Sequence, residues 1–270
     1  MAAELPQLEP FQAAANALQQ RHQIAGLRPA PIPLVRSLNL LPKCFADLQK
    51  HCVSAKPEAS KAAEWILDNH FQVNRAIRQI KKDLPKDFYA RLPKLKDPDQ
   101  HGLPRVYLLA KGLLDAAHLQ LSMGTAIEFV GAYQATAPLT IAELWAFPTM
   151  LRIVCLETLL AGSQQIFPLL KPPYKLYTQS LSLQSIEPTE RIARSLSILQ
   201  VIASISWKDF FDQTCCVEKV LRQDPAGVYQ LMDFETRDRY RKAVEEIAAR
   251  TVKLEQDVAA DVLTEAKSHS

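Results

Sequence analysis

The densest polar string, DFETRDRYR (233–241), carries three arginines at alternate positions, Arg237, Arg239 and Arg241, that could hold an anion. A guanidinium fork matches the two oxygens of a carboxylate or phosphate. The string therefore offers a contact for an acidic ligand or for a partner's acidic surface. A structural reading of the same residues is favoured. In it Asp233 or Thr236 caps a helix, Asp238 pairs with nearby arginines, and Arg237 and Arg241, four apart, share one helical face. Residues two apart on a helix point about 200° apart. Of Arg237 and Arg239, one is expected to face the domain and the other to point outward.

Other constellations are weaker. Sugar-nucleotide transferases commonly hold a divalent ion with an Asp-x-Asp string, and Asp97-Pro98-Asp99 has those letters. It sits in a proline-broken polar loop, so we do not adopt it as a metal site. Trp65, Trp145 and Trp207, with Tyr89 and Tyr107, could form a sugar-stacking platform, which requires exposed rings. All three tryptophans lie on apolar helical stripes, so burial is expected instead. Asp68, Asn69 and His70 are read as structural hydrogen-bonding groups to a neighbouring loop. No glycine-rich phosphate loop and no G-x-S-x-G elbow occurs. His22, His51, His70, His101 and His118 are too scattered for a metal cluster. We expect no catalytic residue, no metal site and no cofactor.

The elements that must position these residues are helical. Glycine is scarce at 7 of 270 residues and proline reaches 18. Leu, Ala, Gln, Lys and Glu favour helix, and the prolines punctuate it. Hydrophobic residues make up 48% and charged residues 23%, ordinary globular usage. A net charge of +3 is too small to argue for nucleic acid. The densest basic cluster, Arg75, Arg78, Lys81, Lys82 and Lys86, reads as a solvated helix face. The five cysteines show no zinc spacing and fit a reducing compartment, with Cys155 a buried apolar residue. No signal peptide opens the chain, and no uninterrupted apolar run spans a bilayer. The best candidate, Leu139–Leu160, carries Glu143, Arg152 and Glu157, so the chain is expected to be soluble.

Periodicity predicts helices over Leu8–Gln23, Leu34–Val53 (kinked or split at Pro42), Glu58–Asp83, Arg105–Ala117 and Met123–Ala135. Leu84–Pro104 reads as an ordered strap that buries Phe88, Tyr89, Leu92 and Leu95. Thr140 and Glu143 form a capping box for a helix through Leu159, with a kink at Pro148. Ser163–Glu187 reads as a loop and as the best internal boundary of a single domain, 1–270. Helix resumes over Pro188–Ala203 and over Trp207–Arg222, capped by Ser206. A final pair runs from Asp233 or Thr236 to about Ala266. The fold class is all-α, an irregular bundle of about ten helices with proline-rich connectors.

Several strings are unusual enough to carry a resemblance: AEWILDN (63–69), DLPKDFYARLPKL (83–95), GLPRVYLLA (102–110), LTIAELWAFPTMLRIVCLETL (139–159), ISWKDFFDQTCCVEKVLRQDP (205–225) and DFETRDRYRKAVEEIA (233–248). Through them the chain resembles the N-terminal region of cyclic β-1,2-glucan synthases, over about Leu8–Ala260. The first sixty residues and Gln164–Gln184 match poorly. In that family the region precedes the first membrane helices and a UDP-glucose-dependent glycosyltransferase domain. The resemblance implies a non-catalytic module on the cytoplasmic side of the bacterial inner membrane, part of a larger membrane enzyme cut at the polar stretch Thr251–Ser270. Its partners would be the remaining domains of that enzyme. The alternative is a module that binds β-1,2-glucan or a regulatory ligand. No catalytic residue can be carried over, because the family's lie beyond Ser270.

Overall fold

Thirteen α-helices run through the residues that the computed structural model describes, which are 8–24, 33–96, 102–172, 182–251 and 253–268. They are α1 (Leu8–Arg21), α2 (Pro33–Val53), α3 (Ser60–Asp68), α4 (His70–Asp83), α5 (Lys86–Arg91), α6 (Arg105–Ala116), α7 (Met123–Gln134), α8 (Ile141–Ile166), α9 (Pro188–Ser204), α10 (Trp207–Thr214), α11 (Cys216–Leu221), α12 (Phe234–Arg250) and α13 (Glu255–Ser268). Among the described residues there is no strand, only isolated bridges between Ile24 and Leu95 and between Lys94 and Pro104. The all-α class expected from composition is therefore the observed one.

Three departures raise the number from about ten to thirteen. The stretch expected as one helix over 58–83 is interrupted at Asn69. There the side-chain amide donates to the Trp65 carbonyl at 2.9 Å, and Oδ1 accepts from Gln72 Nε2 at 2.9 Å. Asn69 thus satisfies its own helix ends rather than a neighbouring loop, and His70 Nδ1 likewise meets the Leu67 carbonyl at 2.9 Å. The helix expected over 207–222 breaks at Cys215, which is extended (ψ 118°) and buried. Gln134 Nε2 takes up the freed Thr214 carbonyl at 2.9 Å; a helix end left buried without such a partner is costly. The third departure is α5, one short helix inside the strap, with Tyr89, Leu92 and Leu95 buried. In contrast, α2 continues as helix through Pro42, and α8 runs on to Ile166, past the expected loop start at Ser163.

The chain divides into two compact units, Met1–Tyr133 with Ala146–Ile205, and Gln134–Trp145 with Ser206–Ser270. In the first, α1 packs on α6, α2 on α3, and α3 and α4 on α9. Its core includes Met150, Leu151, Ile153, Val154, Cys155, Leu156, Leu159 and Leu160 of α8, all without solvent exposure. A helix apolar on every side is a core helix or a membrane span. By length and composition α8 could cross a membrane, but 83% of its most apolar 18 residues are buried within the protein. In the second unit, α11 and α12 both pack on α13, and α10 packs on α11.

Candidate functional site

Asp233 fixes where α12 begins: its Oδ1 accepts from the Thr236 backbone N–H at 2.7 Å. Side-chain oxygens at this position satisfy one of the four unpaired N–H groups of a helix start. From that register Arg237 and Arg241 follow one turn apart on the inward face. Both are buried, Arg241 completely, whereas Arg239 is exposed and has no ion-pair partner among the described residues. The opposed orientation expected for Arg237 and Arg239 is the one found.

The inward arginines meet acidic groups from α10 and α11. Arg237 Nη2 lies 2.7 Å from Asp212 Oδ2, and its Nη1 donates to Glu218 Oε1. Arg241 Nη1 lies 2.6 Å from Glu218 Oε2 and 3.5 Å from Asp212 Oδ1, and its Nη2 lies 3.5 Å from Asp238 Oδ1. Arg222 Nε lies 2.9 Å from Glu218 Oε1, and Tyr229 Oη donates to Glu218 Oε2 at 2.7 Å. The Arg241 guanidinium also lies 4.6 Å from the Phe234 ring centre and 4.9 Å from that of Phe211. Burial by itself raises the Glu218 carboxyl, but the hydrogen bonds from Tyr229, Arg241 and Arg222 outweigh it and hold the group below its usual range.

This arrangement is an internal ion network. Arg222, Arg237 and Arg241 face Asp212, Glu218 and Asp238, and the two buried forks are occupied by carboxylates of the chain. An incoming phosphate or carboxylate would have to displace a buried carboxylate. Removing one partner of such a pair typically costs about 3–5 kcal/mol. Of the three candidate contact residues, Arg237 and Arg241 are therefore committed to the fold, and Arg239 alone presents its charge to solvent.

Asp212, Glu218, Tyr229 and Arg222 were not singled out in the sequence. One signal was present: Glu218 borders the apolar pair Val217 and Leu221 on the helix surface, and a carboxylate buried there requires a cation.

The remaining sequence candidates do not assemble into a site. Asp97 and Asp99 lie outside the described residues. Tyr89 and Tyr107 are fully buried, and Tyr107 Oη meets Glu157 Oε2 at 2.5 Å. Trp65, Trp145 and Trp207 are half-buried, not buried as expected. Trp65 is partly covered by Lys61, whose Nζ lies 5.1 Å from the ring centre. Trp145 stacks on Phe211 at 4.7 Å, and Trp207 packs edge-on against Phe210 at 5.3 Å. The amphipathic indole keeps one edge wet while its face is used in packing. Among the described residues, no group of three or more His, Cys, Asp or Glu is placed to hold a metal ion.

A second carboxylate pair sits at the start of α8. Thr140 N–H donates to Glu143 Oε2 at 2.9 Å and Glu143 N–H to Thr140 Oγ1 at 3.2 Å, the reciprocal capping box expected. In addition the Ile141 N–H donates to Glu255 Oε2 at 2.8 Å, a contact made from the first residue of α13.

No family model matches the chain. Over 107 residues, 40% of the chain, it is 36% identical to "Cyclic beta-(1,2)-glucan synthase NdvB" of Rhizobium meliloti (strain 1021). The matched stretch spans 4% of that protein's length. The chain thus contains a region related to part of that synthase.

Proposed function

We propose that the chain is a non-catalytic helical module of a cyclic β-1,2-glucan synthase-like enzyme, acting in interdomain packing or assembly on the cytoplasmic side of the bacterial inner membrane. The observation that carries this reading is the disposition of α12. Its inward arginines are consumed by Asp212 and Glu218, while its outward side presents Arg239 beside exposed Tyr240 and Ile247. Tyr240 and Ile247 are seven apart and so share a helical face. Leu231, Leu254 and Val262 are further large apolar residues left exposed in the same unit. Apolar side chains mixed with an exposed cation suit a protein surface better than a small-molecule pocket. The region related to the synthase supports such a parent, and in this reading the transferase chemistry belongs to other domains of it.

The test is capture of the remaining domains of such a synthase by the 270-residue chain, run beside a calorimetric titration with β-1,2-glucan. Capture with no glucan heat supports the module. Glucan binding without capture replaces it with the ligand-binding alternative. Glucose transfer from UDP-glucose by the purified chain, abolished by one substitution within it, overturns both.

A further inference from the structure

The basic cluster on α4 is not absorbed by the reading above. Its four cations Arg75, Arg78, Lys81 and Lys82 are all exposed, and none has an ion-pair partner among the described residues. At 100° per residue Phe71, Arg75, Arg78 and Lys82 fall within one narrow stripe roughly 16 Å long, and Lys81 lies off it. Phe71 is 57% exposed, unusual for a phenyl ring. Asp83, the acidic residue of α4 itself, is taken up by Gln79 Nε2 at 2.8 Å and faces Arg152 at 3.8 Å. The stripe therefore keeps its charge.

Beside it runs a groove of about 240 Å³ between α4 and α9. Ala76 and Ala203 leave it open, Leu199 and Phe71 give it apolar walls, and Gln72 and Arg75 line its α4 side. Gln72 Oε1 is buried with no hydrogen-bond partner among the described residues, an acceptor left without a donor. A volume of this size holds one bulky side chain.

We infer that the α4–α9 groove docks an acidic protein segment: one large apolar side chain enters between Phe71 and Leu199, and flanking carboxylates meet Arg75, Arg78 and Lys82. Charge complementarity selects an acidic partner, and the concave site selects a protein side chain over a lipid surface. A helix that lies in a bilayer interface inserts its apolar face. Here the apolar face of α4, with Val73, Ala76, Ile77 and Ile80, is already buried in the protein. The inference rests on the reading of the chain as a packing module, and adds where a partner binds and what its chemistry is.

The probe is a fluorescein-labelled twelve-residue peptide with a central Phe flanked by Glu and Asp, read by anisotropy and by backbone amide shifts of the 270-residue chain. We expect saturable binding with shifts confined to α4 and α9. Arg75→Glu with Arg78→Glu should weaken it about tenfold, as should replacing the peptide's acidic residues with Lys. Phe71→Ala, or Ala for the central Phe, should weaken it about fivefold by removing the anchor. These surface changes are expected to leave the melting temperature intact, so a lost signal is not lost folding. Equal binding of the Lys peptide, shifts elsewhere, no binding, or binding only to phosphatidylglycerol vesicles overturns the proposal. If the R75E/R78E chain still captures the remaining synthase domains, the module reading stands and the groove assignment falls.

Discussion

The Glu218 carboxylate and the Arg241 guanidinium meet at 2.6 Å with neither side chain exposed to solvent. Helix α11 contributes the first and α12 the second, so this pair holds two elements together at a point where neither charge can be satisfied by water. Arg241→Ala should destabilise the second unit by about 3 kcal/mol, the lower end for breaking a buried pair, because Arg237, Arg222 and Tyr229 still meet the Glu218 carboxylate. Glu218→Gln keeps the shape and should cost less than Glu218→Ala. Urea unfolding followed by tryptophan fluorescence measures the order. Equal stability for wild type and R241A would remove the network from the account of the fold.

Arg239→Glu should behave differently. The side chain is exposed and unpaired among the described residues, so stability should change by no more than about 0.5 kcal/mol. Capture of the remaining synthase domains should weaken, and the loss should be larger at low salt. A substitution that unfolds the chain would instead place Arg239 in its internal scaffolding.

Stability should fall as pH rises through the weakly acidic range. Burial raises Glu157 in α8 to about 7, against the pull of its Tyr107 bond. Burial also raises Glu255 to about 7, with Glu245 and Glu143 adding to the rise. A carboxyl whose folded value lies above its unfolded value of 4.5 binds more protons when folded. Its contribution is complete below pH about 4.5 and is lost as pH approaches and passes 7. Melting temperature measured from pH 4 to 8 should decline across that window, against a background from other groups. Glu157→Gln and Glu255→Gln should each flatten the decline, and unchanged profiles in both variants would count against the burial of these carboxyls as its cause.

Trp145→Ala should cost about 3 kcal/mol, the lower end of the range for a large aromatic in a core. The ring is half-buried but stacks on Phe211 at 4.7 Å and meets Phe234 edge-on at 6.0 Å. Thermal melting monitored by circular dichroism checks it. No change would mean that the ring serves a partner or a sugar instead.

Features confined to one or two helical turns were legible in the amino-acid sequence. The Thr140–Glu143 box, the Asp233 cap and the opposed sides of Arg237 and Arg239 all follow from helix geometry within five residues. So does the helical class, because few glycines, many strong helix formers and three-to-four-residue apolar spacing agree with one another.

What the arginines do was decided only by tertiary structure. Arg237 acquires its carboxylates from residues 19 and 25 positions away, and Ile141 its second cap from Glu255, 114 positions away. The break at Cys215 belongs to the same class, because the Thr214 carbonyl is taken up by Gln134, 80 positions away. The break at Asn69 is local by contrast, its amide bonding one turn back to Trp65. Periodicity records which face of a helix is turned inward; it carries no information on which distant charge or carbonyl that face will meet, because such pairings are chosen by packing and by the cost of leaving a buried polar group unpaired.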